Sequence, residues 1–204
     1  MSDSTPTVFV VDDDEPVRDA IALLLDTVDI PHLTFDSAQA FLSGYERGRT
    51  GCLVLDIRMP GMNGLELQEQ LLRDQDPLPI IFITGHGDIP MAVEAMKKGA
   101  VDFIRKPFRD QELLDRIQEA LSFDAENREH QADVDAVRAR AASLTPREKE
   151  VFQRVAEGQA NKVVAIDLEI SERTVEIHRS QVMQKMAARN LADLVKMKIV
   201  LDQG

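Results

Sequence analysis

The acids Asp12, Asp13, Asp14 and Glu15, with Asp56, Thr84 and Lys106, are the residues whose types could do chemistry together, provided the chain brings them to one place. Asp56 closes the apolar run Cys52, Leu53, Val54 and Leu55 and precedes the Pro60-Gly61 reversal in CLVLDIRMPGMNG. Such a run reads as a short strand buried on both faces, and an acid at its carboxyl end lies where open parallel sheets bind ligands. Another strand-like run leads into Asp12, Asp13, Asp14 and Glu15, a further one ends at Thr84, and the last is followed by Lys106-Pro107. Carboxylates crowded on one sheet edge repel one another and raise one another's pKa unless a cation sits among them. With oxygen ligands on offer and no His or Cys nearby, that cation is expected to be Mg²⁺ rather than zinc. A metal beside one carboxylate, faced by a hydroxyl and an ammonium, can neutralise a phosphoryl group transferred to that carboxylate as an aspartyl phosphate. Taken singly, Asp56 is a loop cap, Thr84 a helix cap and Lys106 a salt bridge to the acids, the last being what phosphate-free protein should contain. The convergence of all of them favours the chemical reading.

The elements that would position them follow from the periodicity. Apolar runs at Thr7 to Val11, Pro31 to Phe35, Cys52 to Leu55, Pro79 to Ile83 and Val101 to Ile104 alternate with helical patterns. That alternation predicts a doubly wound, five-stranded parallel sheet of the flavodoxin-like class. Val17, Ile21, Leu24, Leu25 and Val28 should form one sheet-facing helix stripe, and further helices are expected over Ser37 to Arg47, Gly64 to Arg73, Pro90 to Lys98 and Asp110 to Leu121.

Charge divides the chain of 204 residues with a net −12. Residues 1 to 124 carry 11 Lys+Arg against 23 Asp+Glu, whereas residues 144 to 204 carry 10 against 9. The second part therefore lacks the strongly basic footprint of an autonomous nucleic-acid binder, and charge alone would not identify it. No apolar run approaches the roughly 18 residues of a membrane span, and the N-terminal MSDSTPT is polar and acidic, so a cytoplasmic protein without membrane contact is expected. The single cysteine, Cys52, falls in a predicted buried strand and is read as inert packing.

Three segments follow from this pattern: a domain at 1 to 122, a helical linker at 123 to 143, with a flexible loop as the alternative, and a second domain at 144 to 204. Thr145, Pro146 and Glu148 form a capping box with Pro at the first helical position, and Gly158 should stop that helix. Asn161 is expected to cap a second helix to about Glu169, Ser171 a third to about Ala188, and a last helix should span Leu191 to Leu201. Four short helices suit a small all-α helix-turn-helix module. In the third, Val175, Val182 and Met186 coincide on a buried face flanked by Met183 and His178. Arg173, Glu176, Ser180 and Gln184 lie opposite, with Ile177 among them as a candidate for thymine methyl groups in a major groove. A solvated face accounts for the polar residues equally well, and lone exposed apolar residues are common.

VVDDDEPVR, LDIRMPGMNG, ITGHGD and DFIRKPF resemble the receiver domain of two-component response regulators over roughly residues 7 to 122. LTPREKEVFQRVAEG, NKVVAIDLEISERTVEIHRSQVMQKM and NLADLVKMKIV resemble the LuxR-type helix-turn-helix output domain over roughly residues 144 to 201, and the two together look most like the FixJ subfamily of transcriptional regulators. The resemblance implies that Asp56 is phosphorylated by a sensor histidine kinase, with Thr84 and Lys106 on the phosphoryl group. It also implies that Asp12, Asp13, Asp56 and the backbone carbonyl of Arg58 hold Mg²⁺, and that the peptide before Pro107 is cis. Phe103 would follow Thr84 only by packing. For the output domain it implies a recognition helix from Ser171 to Ala188 contacting double-stranded DNA through Ser171, Arg173, Thr174, Glu176, Ile177, Arg179, Ser180, Gln184 and Lys185, with Asn161 and Lys162 touching phosphates. Many LuxR-type helices have Lys where this one has Glu176, which hints at a cytosine contact there.

On this reading the protein is a phosphorylation-switched transcription factor that dimerises when phosphorylated, through Met91, Val93, Ala95, Met96 and Val101 in the stretch Pro90 to Ile104. It would also meet RNA polymerase, and it accepts a phosphoryl group without being a turnover enzyme. Two alternatives are weaker. A Mg²⁺-dependent phosphatase with an aspartyl intermediate would carry a second Asp two residues past the nucleophile, where this chain has Arg58. A pure protein-interaction module, using helices near Val93 and Leu194, would fail to shift DNA.

Overall fold

The computed structural model describes residues 5–85 and 89–202, so His86, Gly87 and Asp88 of the ITGHGD motif lie outside the described residues. The chain divides into two compact units, Met1–Asn127 and Arg128–Gly204.

In the first unit, β1 (Thr7–Val11), β2 (His32–Phe35), β3 (Gly51–Asp56), β4 (Ile80–Thr84) and β5 (Asp102–Arg105) form one parallel sheet in the order β2-β1-β3-β4-β5. The chain steps outward from β1 to β2 and returns to β3 on the other side of β1. The strand order therefore reverses between β1 and β3, which in open α/β sheets opens a crevice at the carboxyl ends. Val11 pairs with Leu55, so the two strands deliver Asp12 and Asp56 side by side into that crevice.

Alternation along the strands sorts the core into two layers. Phe9, Val11, Leu53, Leu55 and Phe82 point to one face, covered by Phe41 of α2 (Ala38–Gly44), Leu67 and Leu71 of α3 (Gly64–Arg73) and Ala92 and Ala95 of α4 (Ile89–Lys97). Val8, Val10, Cys52, Val54, Ile81, Ile83 and Ile104 point to the other, against Ile21 and Leu25 of α1 (Glu15–Asp26) and Leu113, Ile117 and Ala120 of α5 (Asp110–Ala142). Each such large apolar side chain fully removed from water contributes roughly 1.5–3 kcal/mol. Cys52 is fully buried, and burial, with Asp124 nearby, pushes its thiol up to about 12, so it remains an unreactive packing group.

Two helix ends differ from expectation. Asp29 adopts φ 53 and turns the chain, with Ile30 N–H bonding back to Leu25 O at 3.1 Å, so α1 stops at Asp26 and Val28 stands 43% exposed instead of joining the sheet-facing stripe. Helix α2 ends at Gly44 rather than Arg47 because Tyr45 turns extended (φ −90, ψ 128). Its ring stacks on Phe41 at 4.8 Å and meets Phe9 edge-on at 5.1 Å, while its hydroxyl donates to Asp76 Oδ1 at 3.1 Å. Long-range contacts override local helix preference there.

Helix α5 runs unbroken through residues 123 to 142, where a loop was the alternative. It is not solvated throughout. Asp124 is only 3% exposed because its Oδ2 accepts the Gly51 N–H at 3.0 Å, and Val137 and Ala141 pack onto the core of the second unit. That core joins α6 (Pro146–Ala156), α7 (Asn161–Asp167), α8 (Glu172–Lys185) and α9 (Leu191–Asp202) around Val151, Val155, Val164, Val175, Val182, Met186 and Leu194. Thr145 and Glu148 form both hydrogen bonds of the capping box, with Pro146 in the first turn. Among the described residues no helix is long and apolar enough to cross a membrane.

Candidate functional site

The carboxyl edge of the sheet gathers Asp12 from β1, Asp56 from β3, Thr84 from β4 and Lys106 from just beyond β5. One ligand oxygen each from Asp12, Asp13 and Asp56 lies within 4.8 Å of the others. Asp12 is fully buried and Asp56 6% and Thr84 2% exposed, whereas Asp13 faces solvent. Lys106 places Nζ 2.6 Å from Asp12 Oδ2 and 3.2 Å from Asp56 Oδ1, the salt bridge expected in the absence of a phosphoryl group.

Burial and the neighbouring Asp12 charge outweigh Lys106 and push the Asp56 carboxyl from an ordinary 3.8 up to about 6. It remains largely ionised, and so nucleophilic, at neutral pH. Burial by itself would depress the Lys106 ammonium, but its hydrogen bonds to the two carboxylates and their charges prevail and hold it above its ordinary value.

The backbone fixes these groups. Asp56 pairs with Ile83, one residue before Thr84, and the Thr84 carbonyl accepts the Lys106 N–H at 2.7 Å. The peptide between Lys106 and Pro107 is cis, as the resemblance implies. Gly64, the first residue of α3, donates its N–H to Ile57 O at 2.9 Å, and a Cβ there would lie 2.3 Å from Asp56 O, so only glycine lets the helix approach this closely. Arg58 is exposed on the loop after β3. Phe103 is partly buried against the layer containing Ala92.

Asp12 is the most constrained member. Oδ1 accepts the Asp14 N–H at 2.9 Å, Oδ2 accepts Lys106, the backbone N–H donates to Phe35 O at 3.2 Å, and the backbone carbonyl accepts Arg18 Nη1 at 2.8 Å. Sequence reading missed Arg18. The only signal was its place one turn into α1, where a long donor can reach back to the strand end.

Of the residues expected to pair two receivers, Val93 and Met96 are 46% and 38% exposed on α4. Ala95 is fully buried, and Met91 and Val101 pack against the two cores, so those three belong to the interior more than to a surface.

The second unit presents a different candidate. On α8, Val175, Val182 and Met186 are fully buried, and Arg173, Glu176, Ile177, Ser180 and Gln184 are exposed, Ile177 by 51%. His178 is half-buried, with an Nδ1 that has no partner among the described residues, in keeping with packing rather than metal ligation. Ser171 caps the helix, its Oγ accepting the Thr174 N–H at 3.1 Å. Lys162 and Arg173 are exposed and form no side-chain hydrogen bond or ion pair among the described residues.

One expectation needs correction. Ala160, not Asn161, is the N-cap of α7, since its carbonyl accepts Val163 N–H at 2.9 Å and leaves Asn161 as the first helical residue. The Asn161 Oδ1 accepts Arg179 Nη1 at 2.9 Å, which ties α7 to α8. Lys185 is exposed and places Nζ 2.7 Å from Glu148 Oε2.

Residues 8–118 match the family described as response regulator receiver domain, and residues 142–198 the family described as bacterial regulatory proteins, luxR family. The chain is 49% identical to nodulation protein W of Bradyrhizobium diazoefficiens, covering 95% of this chain and 86% of that one. It is 44% identical to the transcriptional regulatory protein FixJ of the same species, covering 93% of each. The structure of response regulator StyR superimposes with a TM-score of 0.85 at 48% identity, over 98% of this chain and 100% of the other.

Proposed function

Since the chain belongs to the response regulators that join a receiver to a LuxR-type DNA-binding domain, we propose that a sensor histidine kinase phosphorylates Asp56 and that the phosphorylated protein dimerises on DNA to regulate transcription. The observation that carries this reading is the convergence of the Asp12, Asp13 and Asp56 oxygens with Lys106 at the sheet's switch point.

An ionised Asp56 oxygen attacks the phosphorus of a phosphohistidine. The new O–P bond makes an acyl phosphate, the P–N bond breaks, and the imidazole leaves with its electron pair and takes a proton from solvent. Lys106, already charged beside Asp56, shifts to a phosphoryl oxygen, and the Thr84 hydroxyl donates to another. Asp13 and Asp56, supported by Asp12 and the Arg58 carbonyl, are the oxygens that would hold Mg²⁺, and the all-oxygen set with no thiol or imidazole among it fits a hard ion. When bound, the ion supplies positive charge against the incoming phosphoryl group. Asp56 is consumed once per transfer, so the protein is the substrate of the step rather than a turnover catalyst.

The readout proposed is pairing through α4 and β5, where Val93 and Met96 are the exposed apolar residues. An isologous pair presents two α8 helices to half-sites one helical turn apart or a multiple of it, and RNA polymerase is the partner once both are seated. The test combines intact-mass analysis after acetyl phosphate and Mg²⁺ with selection of duplexes from a random pool. Phosphate on the wild type, none on Asp56→Asn, and enrichment of a two-half-site duplex by the phosphorylated protein alone support the reading. Phosphate on Asp56→Asn overturns the acceptor assignment.

A further inference from the structure

Lys185 is the last residue of α8, and its position next to Gln184 first suggests a phosphate contact. Its environment argues otherwise. Glu148, in the first turn of α6, has a side chain only 3% exposed, and its Oε2 accepts both the Thr145 N–H at 2.7 Å and Lys185 Nζ at 2.7 Å. The Thr145 hydroxyl completes the box by accepting the Glu148 N–H at 3.3 Å. One carboxylate thus closes the helix cap and neutralises a cation from a second helix. The Lys185 ammonium, ahead of the Thr145 N–H, holds the Glu148 carboxyl below its ordinary value. Moving Lys185 to a DNA phosphate would exchange one anion for another and leave a buried carboxylate without its counter-charge, which is strongly unfavourable.

Resting on the reading of α8 as the recognition helix, we infer that Lys185 and Glu148 form a strut that fixes α8 against α6, and that Lys185 is a positioning residue for DNA binding with no phosphate contact of its own. The apolar contacts of Val175, Val182 and Met186 hold α8 down, but apolar contact is not directional and tolerates rotation. Directional ties set the rotation. Arg179 to Asn161 joins the middle of α8 to α7, and Lys185 to Glu148 joins its end to α6. Together they present Arg173, Glu176, Ile177, Ser180 and Gln184 at one angle, and Arg173 and Lys162 are two exposed cations with no side-chain partner among the described residues.

The two roles separate by salt dependence. Each lost phosphate contact lowers the slope of log K against log[salt] by about 0.9, whereas loss of a positioning tie weakens binding without changing the number of counterions released. The probe is a duplex selected from a random pool on the phosphorylated wild-type protein. It is titrated at several salt concentrations with phosphorylated full-length wild type, Lys185→Met, Lys185→Arg, Glu148→Gln, the Glu148→Gln/Lys185→Met double variant and Arg173→Met. Gln still closes a capping box, so Glu148→Gln removes the ion pair and keeps the helix start. Lys185→Met and Glu148→Gln should each weaken binding by a similar factor, roughly three- to thirty-fold, with no further loss in the double variant and with the slope unchanged. Lys185→Arg should restore binding, and Arg173→Met should lower the slope. A lowered slope for Lys185→Met alone, with Glu148→Gln at wild-type affinity, overturns the inference while leaving the DNA-binding reading intact. Failure of the wild type to enrich any duplex overturns both.

Discussion

The Lys106 ammonium lies 2.6 Å from Asp12 and 3.2 Å from Asp56, so a single cation pairs with the buried acid that follows β1 and the acid that ends β3. On the proposed reading, a phosphoryl group on Asp56 would compete with Asp12 for the Lys106 ammonium.

Replacing Lys106 by Met leaves Asp12, which is fully buried, without its counter-charge. Urea unfolding at neutral pH should show a loss of about 3 kcal/mol, the lower end of the range for breaking one side of a buried pair. Millimolar Mg²⁺ should recover part of it. An unchanged midpoint in Mg²⁺-free buffer would mean that the bridge contributes nothing to the fold.

Asp56 sets a pH dependence whose sign is opposite to that of an ordinary paired carboxylate. Its carboxyl rises from 3.8 to about 6 on folding, so the folded state holds the proton more tightly and stability falls as pH rises between those values. Above about pH 6 the whole penalty is present, roughly 3 kcal/mol for a shift of this size. In EDTA, Asp56→Asn should therefore be more stable than wild type at pH 7, and the advantage should shrink toward zero near pH 4. Equal differences at both pH values would contradict the assignment of the raised group.

Magnesium should raise the thermal midpoint of the wild type because it binds the folded site and not the unfolded chain. At a hundred times its Kd the gain is about 2.7 kcal/mol. Asp13 is exposed and forms no hydrogen bond or ion pair among the described residues, so Asp13→Ala should cost little in EDTA and yet abolish the Mg²⁺-dependent rise. A rise that survives the substitution moves the ion elsewhere.

Val93 and Met96 offer apolar surface on α4 that the core does not use. Sedimentation of the phosphorylated protein at tens of micromolar should show a dimer, and Val93→Asp should return it to monomer with the phosphate mass still present. A dimer that tolerates the charge would place the pairing surface away from Val93.

Much of the receiver was legible because its signals are local. Apolar runs of strand length, leading into Asp12 and ending at Asp56, are enough to indicate the parallel sheet and the edge on which the acids meet, whereas the register comes from the structure. What could not be read depends on partners far along the chain. Asp124 sits in a polar helical segment with nothing near it in sequence to suggest burial, and it is buried by a backbone N–H contributed by Gly51. Lys185 and Arg179 look like groove cations from their helix alone. Only the packing of α6 and α7 against α8 supplies Glu148 and Asn161 to hold them. Tyr45 lay in a helical pattern until Phe9, Phe41 and Asp76 gave its side chain better partners.

The central claim, that phosphorylation of Asp56 switches DNA binding, is tested most directly by titrating a selected, labelled duplex with four forms of the protein. These are the unphosphorylated protein, the phosphorylated protein, Asp56→Asn treated with acetyl phosphate, and a fragment beginning near Ala141, each at two salt concentrations. Residues 1 to 124 carry 11 Lys+Arg against 23 Asp+Glu, so the receiver repels the phosphate backbone, and the output domain alone offers few cations to offset this. Pairing makes occupation of the second half-site effectively intramolecular, and a swing from one to ninety-nine per cent occupancy requires roughly 5.5 kcal/mol of differential affinity. The expected result is weak binding by the unphosphorylated protein and by Asp56→Asn, tighter and steeply salt-dependent binding by the phosphorylated protein, and partial recovery in the fragment. If Asp56→Asn binds as tightly as the phosphorylated protein at both salt concentrations, the receiver does not switch DNA binding and the account is contradicted.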